Sequence, residues 1–157
     1  VLVSVGDVLE HYTRVGLDGK KVEFHSLLEI PIANWGSLSS LEKLLCEWVE
    51  GKDCNLIIDG IHLLGELIRI TTMGDLIQML LKVTDSVQRD FWVVFNSDVI
   101  SGSELARFQH LSKVSILLGG LETGRASDVS GVVSLKREDI TKSRYFVAKD
   151  GQVKLLL

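Results

Sequence analysis

Proline is almost missing from this sequence: Pro31 stands alone in 157 residues. The 14 glycines are scattered without a period, so neither a proline-rich linker nor a collagen-like chain is written here. Long hydrophobic runs are missing too. Apolar stretches such as Leu56-Ile57-Ile58 last a few residues, whereas a membrane helix needs about 18 or more. No basic segment followed by an apolar one opens the chain, so no secretory signal is read. There is no starting methionine, and Val1–Val5 already reads as a strand; the reading therefore expects a further piece upstream. Two cysteines, Cys46 and Cys54, are too few for a disulfide framework or a zinc site. One falls on an apolar helical face and the other opens an apolar strand, so both are expected as buried, reduced thiols of a cytosolic or nuclear protein. His11, His25, His62 and His110 show no metal-ligand spacing and are expected at the surface or at helix ends.

What is present is a core. With 46% hydrophobic and 24% charged residues, the chain buries enough apolar surface for one domain spanning 1–157. Charge is uneven. Residues 1–100 carry 8 basic and 15 acidic side chains, residues 101–157 carry 9 and 6. A lone nucleic-acid-binding domain usually needs a strongly basic face, and a net charge of −4 overall is not that. The basic last third, with Arg125, Lys136, Arg137, Lys142 and Arg144, can still add to a site shared with other chains; the plainer alternative is a solvated hairpin with ordinary charges.

Strand and helix signals alternate along the first two-thirds. After Val1–Val5, Asp7-Val8-Leu9-Glu10 has the spacing of a capping box, and Val8, Tyr12 and Val15 recur at helical spacing up to Gly16. Lys21–Phe24 reads as a second strand and Pro31–Ser40 as a loop. A helix is predicted from Ser37 to Glu50, with Leu38, Leu41, Leu45 and Trp48 on one stripe and Gly51 closing it. Leu56–Asp59 is a continuously apolar strand ending in an acid, the pattern of a parallel strand covered on both faces. Thr72 and Asp75 start a third helix, Phe91–Phe95 is another buried strand, Ser103–His110 a short helix and Val114–Leu118 a strand. Then helical signals stop. Val129–Leu135, Tyr145–Ala148 and Val153–Leu157 read as three strands, with Asp150-Gly151 as a hairpin turn. The expected architecture is an α/β sandwich with a mostly parallel central sheet and a C-terminal antiparallel extension.

Ligands of open parallel sheets sit beyond the carboxyl ends of the strands. Here those ends carry Ser4 and Asp7, then Asp59, then Asn96, Ser97 and Asp98. Leu56–Asp59 looks like a Walker B strand, whose carboxylate holds the magnesium of a bound nucleotide. Its partner, the phosphate loop G-x-x-x-x-G-K-[ST], is not in the sequence. Gly19-Lys20 and Gly51-Lys52 are the Gly-Lys pairs, and each fails at both other positions: Arg14 and Cys46 replace the first glycine, Lys21 and Asp53 the Ser/Thr. Asp59 is thus open to a degenerate, structural reading or to a working one with a loop supplied from elsewhere. No G-x-S-x-G elbow occurs, neither cysteine has an evident base, and the acid pair Glu138-Asp139 falls in a turn. No catalytic residue and no metal ligand is assigned.

The segment Gly120–Val133, with its leucine, Thr123-Gly124 and Asp128-Val129-Ser130-Gly131 leading into a strand, resembles the family of the sixth subunit of the Elongator complex. His11-Tyr12 followed by Val15-Gly16 is similar to that family's helix after its second core strand, and Val94-Phe95-Asn96-Ser97-Asp98 to a strand end found in fungal members. The likeness spans nearly the whole chain, but only the Thr-Gly…Asp-Val-x-Gly segment is specific. The chain departs from the family by starting at the second core strand, and its Pro31–Ser40 loop is short. The fifth Elongator subunit shares the fold and is the nearest alternative.

The resemblance implies a RecA-like fold without working Walker motifs. It implies a hetero-hexameric ring with the fourth and fifth subunits, docked on the catalytic part of a complex that modifies the wobble uridine of tRNA. The chain would be cytoplasmic and nuclear, would bind tRNA without being the catalyst, and would take no cofactor of its own; a nucleotide-hydrolysing RecA-like subunit is the competing reading. Arg125, on a glycine-rich loop, would meet RNA phosphate or a neighbouring subunit.

Overall fold

Short apolar runs cannot stay in water on either face, and in the computed structural model, which describes residues 1–7, 9–14, 21–68, 72–121, 129–137, 140–149 and 152–156, they become the inner strands of a parallel sheet. The described residues form two compact units, Val1–Ser101 and Gly102–Leu157.

In the first unit β1 (Leu2–Ser4), β2 (Phe24–Ser26), β3 (Leu56–Asp59) and β4 (Phe91–Val94) pair in parallel in the order β2-β1-β3-β4. Register sets Ser4 opposite both Ser26 and Asp59, and Asp59 opposite Val94. Leu2, Val3, Leu56 and Ile58 are buried, and a fully buried aliphatic side chain contributes about 1.5–3 kcal/mol. β4 is not the buried strand its composition suggests. It ends the strand order, and Trp92 and Val94 stay exposed while Phe91 and Val93 are half-buried. The second strand lies later than Lys21–Phe24, because pairing with Leu2–Ser4 selects Phe24–Ser26.

Helix α1 spans Leu9–Arg14, α2 Leu38–Val49, α3 Leu64–Leu67 and α4 Met73–Ser86. Ser37 caps α2, its Oγ accepting from the Ser40 amide at 3.2 Å. Gly51, at φ +70°, takes the left-handed turn beyond its end, which a side chain would strain. Leu41, Leu45 and Val49 form its buried stripe. Trp48 is only half-buried; its ring stacks on His25 at 4.1 Å and 8°. Thr72 caps α4, as its spacing to Asp75 predicts: its Oγ1 accepts from the Asp75 amide at 3.2 Å and donates to the Asp75 carboxylate at 2.9 Å. Leu76, Ile77, Met79, Leu80 and Val83 are its buried face, and α4 packs against α2. The Ile61–Leu63 turn and α3 had no sequence signal, being too short to show a period. Val8, Val15 and Gly16, part of the expected first helix, lie outside the described residues. Both cysteines are half-buried rather than buried; Cys46 Sγ accepts from Ser86 Oγ at 3.4 Å.

The second unit holds helix α5 (Gly102–Leu111) and an antiparallel sheet of β5 (Ser115–Gly119), β6 (Gly131–Arg137), β7 (Ile140–Lys149) and β8 (Gln152–Leu155), in that order. Asp150-Gly151 lies outside the described residues, but Lys149 and Gln152 on either side pair, as a two-residue hairpin needs. Arg137 and Ile140 pair in the same way around Glu138-Asp139, themselves outside the description. β7 is longer than the expected Tyr145–Ala148, because its first half is exposed and polar and carries no hydrophobic alternation. Gly131 is needed where it is: a Cβ there would meet the Gly119 carbonyl oxygen and the Phe146 ring.

Candidate functional site

Two groups of candidate residues are placed by these elements, one in each unit. The first is the carboxyl edge of the parallel sheet. Asp59, the last residue of β3, accepts a 2.7 Å hydrogen bond at Oδ2 from the Tyr12 hydroxyl on α1. Ser4 Oγ lies 3.0 Å from the same phenol oxygen and accepts from the Asp7 amide at 2.9 Å. Ser26 Oγ donates to the Asp7 carbonyl at 3.0 Å. Ser4 and Ser26 are both buried, so these contacts satisfy hydroxyls that would otherwise be costly. Burial pushes the Tyr12 phenol up to about 12. A hydrogen bond from Ser4 works against that rise, and the Asp59 and Asp7 charges add to it.

Gly60 follows Asp59 at φ +81°, the left-handed conformation that turns the chain at the strand end. Its amide donates to the Val94 carbonyl. Beside it, His62 Nδ1 lies 3.4 Å from the Asn96 amide, and the Asn96 side chain accepts from the Asp98 amide at 3.0 Å. Ser4, Asp7 and Asp59 are therefore tied to one another or to Tyr12, and Asn96 to His62 and Asp98. Sequence reasoning placed Tyr12 on an apolar helical face and missed its bond to Asp59. No spacing rule connects residues 47 apart.

The second group is basic. Arg125 lies outside the described residues. Lys136, Arg137, Lys142 and Arg144 are all exposed on the β6–β7 hairpin, but they do not form one patch. Directly paired residues share a face and neighbours along a strand alternate. Lys142 pairs with Leu135 and Arg144 with Val133, so Arg137, Lys142 and Arg144 share one face. Lys136 points to the other face, with Ser134, Thr141 and Ser143. The face of Arg137, Lys142 and Arg144 also carries Ile116, Leu118, Leu135, Ile140, Val153 and Leu155 by register. All six are exposed, Leu118 by 72%, Val153 by 68% and Ile140 by 62%.

Among the described residues no group of three or more His, Cys, Asp or Glu is placed to hold a metal ion, and no helix is long and apolar enough to cross a membrane.

No family model and no curated protein matches the chain. Solved structures do. A KaiC-like protein of the hyperthermophilic archaeon Pyrococcus horikoshii is similar with a TM-score of 0.61 at 10% identity, over 99% of this chain and 75% of that one. An uncharacterized protein of the same organism, crystallised with an unknown peptide, is similar with a TM-score of 0.57 at 11% identity, over 99% of this chain and 78% of that one. The fold is thus RecA-like: a parallel four-stranded sheet with an antiparallel sheet after it.

Proposed function

We propose that this RecA-like chain is a noncatalytic subunit of the hetero-hexameric Elongator ring, acting in the cytoplasm and nucleus in tRNA wobble-uridine modification and contributing to tRNA binding. Its ring partners are the fourth and fifth subunits, and the ring docks on the catalytic part of the complex. The observation that carries the reading is the order of the family-like segments on a RecA-like fold. His11-Tyr12 falls on α1, Val94–Asp98 at the end of β4, and Val129-Ser130 precedes β6, which opens at Gly131, while Thr123-Gly124 and Asp128 lie outside the described residues. Two further features support it. Asp59, where a nucleotide-hydrolysing relative would hold magnesium, accepts from Tyr12. The antiparallel sheet leaves an apolar face uncovered, and exposed apolar faces of this kind mark surfaces that an assembly covers.

Native mass spectrometry of the complex that co-purifies with the chain tests the reading. The expected result is a hexamer of three different subunits of similar mass, two copies of each. A monomer or a homo-oligomer overturns it.

A further inference from the structure

The second unit contains an open cleft of about 680 Å³ at the junction of α5, β5 and β6. Its position follows from the chain path. α5 ends at Leu111, three residues link it to β5, and Ser115 at the start of β5 pairs with Lys136 near the end of β6. The link carries Lys113, so the antiparallel register brings Lys113 to the same cleft as Lys136 and Arg137. At the end of β6 two successive side chains, which point to opposite faces, both reach the lining. His110, Gln109 and Ser115 complete the polar wall. Ser112 lines it too, but its hydroxyl already donates to the Phe108 carbonyl at 2.6 Å.

The chemistry of the wall is one-sided. Among its described residues there are three permanent cations and no carboxylate. None of the ion pairs among the described residues engages Lys113, Lys136 or Arg137. Three like charges around one cleft repel, and a polyanion relieves that repulsion. Among the described residues the wall has no Phe, Tyr or Trp and no apolar side chain larger than Ala106; its one ring is the His110 imidazole. With three cations and so little apolar surface, the group this lining suits is phosphate. The helix contributes its carboxyl end, whose carbonyls disfavour anions, so affinity must come from the three side chains. Lys142 and Arg144 differ: they share a face with Arg137 by register, but neither lines the cleft, and both stand among exposed Ile, Leu and Val side chains.

We infer that this cleft, through Lys113, Lys136 and Arg137, is where the chain grips the phosphodiester backbone of single-stranded RNA, independent of base sequence. Lys142 and Arg144 belong to the apolar face and not to the RNA path. The inference rests on the RNA-handling reading above.

The test uses the full chain in the complex with which it purifies, and a fluorescent single-stranded oligouridylate titrated at several salt concentrations. Counterion release makes log affinity fall with log salt by about 0.7 per phosphate contact on single strands. The combined Lys113→Gln, Lys136→Gln and Arg137→Gln variant is expected to lower that slope by about 2, and the Lys142→Gln and Arg144→Gln variant to leave it unchanged. The reverse pattern overturns the cleft while RNA handling stands. Inorganic pyrophosphate is the second probe, followed by the amide resonances of Lys113 and Lys136 in the isotopically labelled chain. Pyrophosphate binding in the cleft without oligouridylate binding overturns the phosphodiester assignment and the RNA-handling reading, leaving a small-anion site. Binding of neither probe overturns both.

Discussion

Tyr12 is the residue on which the carboxyl edge turns. Its hydroxyl joins α1 to Asp59 on β3, and its ring stands 5.3 Å from Phe24 on β2. Tyr12→Phe keeps the ring and removes the donor to the carboxylate. A hydrogen bond to a charged group is worth about 1.5–3 kcal/mol, so a loss of about 2 kcal/mol is expected in denaturant unfolding at neutral pH. The pH dependence has a definite sign. The phenol's folded value, about 12, lies above its ordinary 10, so the folded state favours the neutral phenol. That contribution is complete below pH 10 and is lost as pH rises toward 12. The stability gap between the parent and Tyr12→Phe is therefore expected to narrow between pH 10 and pH 11.5. A gap that stays constant over that range would show that the phenol does not report on folding as described.

At the scale of elements, most boundaries are set by local chemistry that acts before any sheet forms. Ser37 and Thr72 each offer an oxygen to the amide three residues on, and each helix begins at the next residue. Thr72→Ala removes such a cap and should lower stability by about 1 kcal/mol, read as a drop in denaturation midpoint; Thr72→Ser should restore most of it. Strand boundaries behave differently, because pairing decides them. β2 shifted from Lys21–Phe24 to Phe24–Ser26, and β7 grew to include Ile140–Arg144. The surface ion pair of Arg89 with Asp53 joins the segments before β4 and β3 by two parallel bonds, Nη2 to Oδ2 at 2.6 Å among them. It lowers the Asp53 carboxyl below its usual value, and such exposed pairs contribute little to stability.

For the whole molecule, the informative surface is the apolar face of the second unit. Single exposed aliphatics are ordinary; six on one sheet face, beside three cations, are not. If a ring neighbour covers this face, Leu118→Glu with Val153→Glu should leave the folded chain intact. Surface substitutions of this kind usually change stability by no more than about 0.5 kcal/mol. The same pair should prevent incorporation into the hexamer, measured by co-purification and native mass. A variant that assembles normally would remove this face from the assembly. The acidic first unit suits that picture, since 15 acidic and 8 basic residues lie within 1–100 and opposite charges steer association.

Much of the fold was legible because its signals are local and periodic. Helices α2 and α4 announced themselves by caps and apolar stripes, β3 by a continuous apolar run, and the hairpins by the positions of their turns. The α/β class followed from their alternation, and the basic character of the last third from simple counting. What stayed hidden were contacts between residues far apart in the chain. Tyr12 meets Asp59 because parallel pairing sets β1 beside β3. Lys113 joins Lys136 and Arg137 because antiparallel pairing folds β6 back along β5. The same register divides Lys136 from Arg137, Lys142 and Arg144, which composition alone had grouped. Sequence determined which segments form elements, because caps and periodicity act over a few residues; only tertiary structure decided which charges share a face, because that depends on which strand lies beside which.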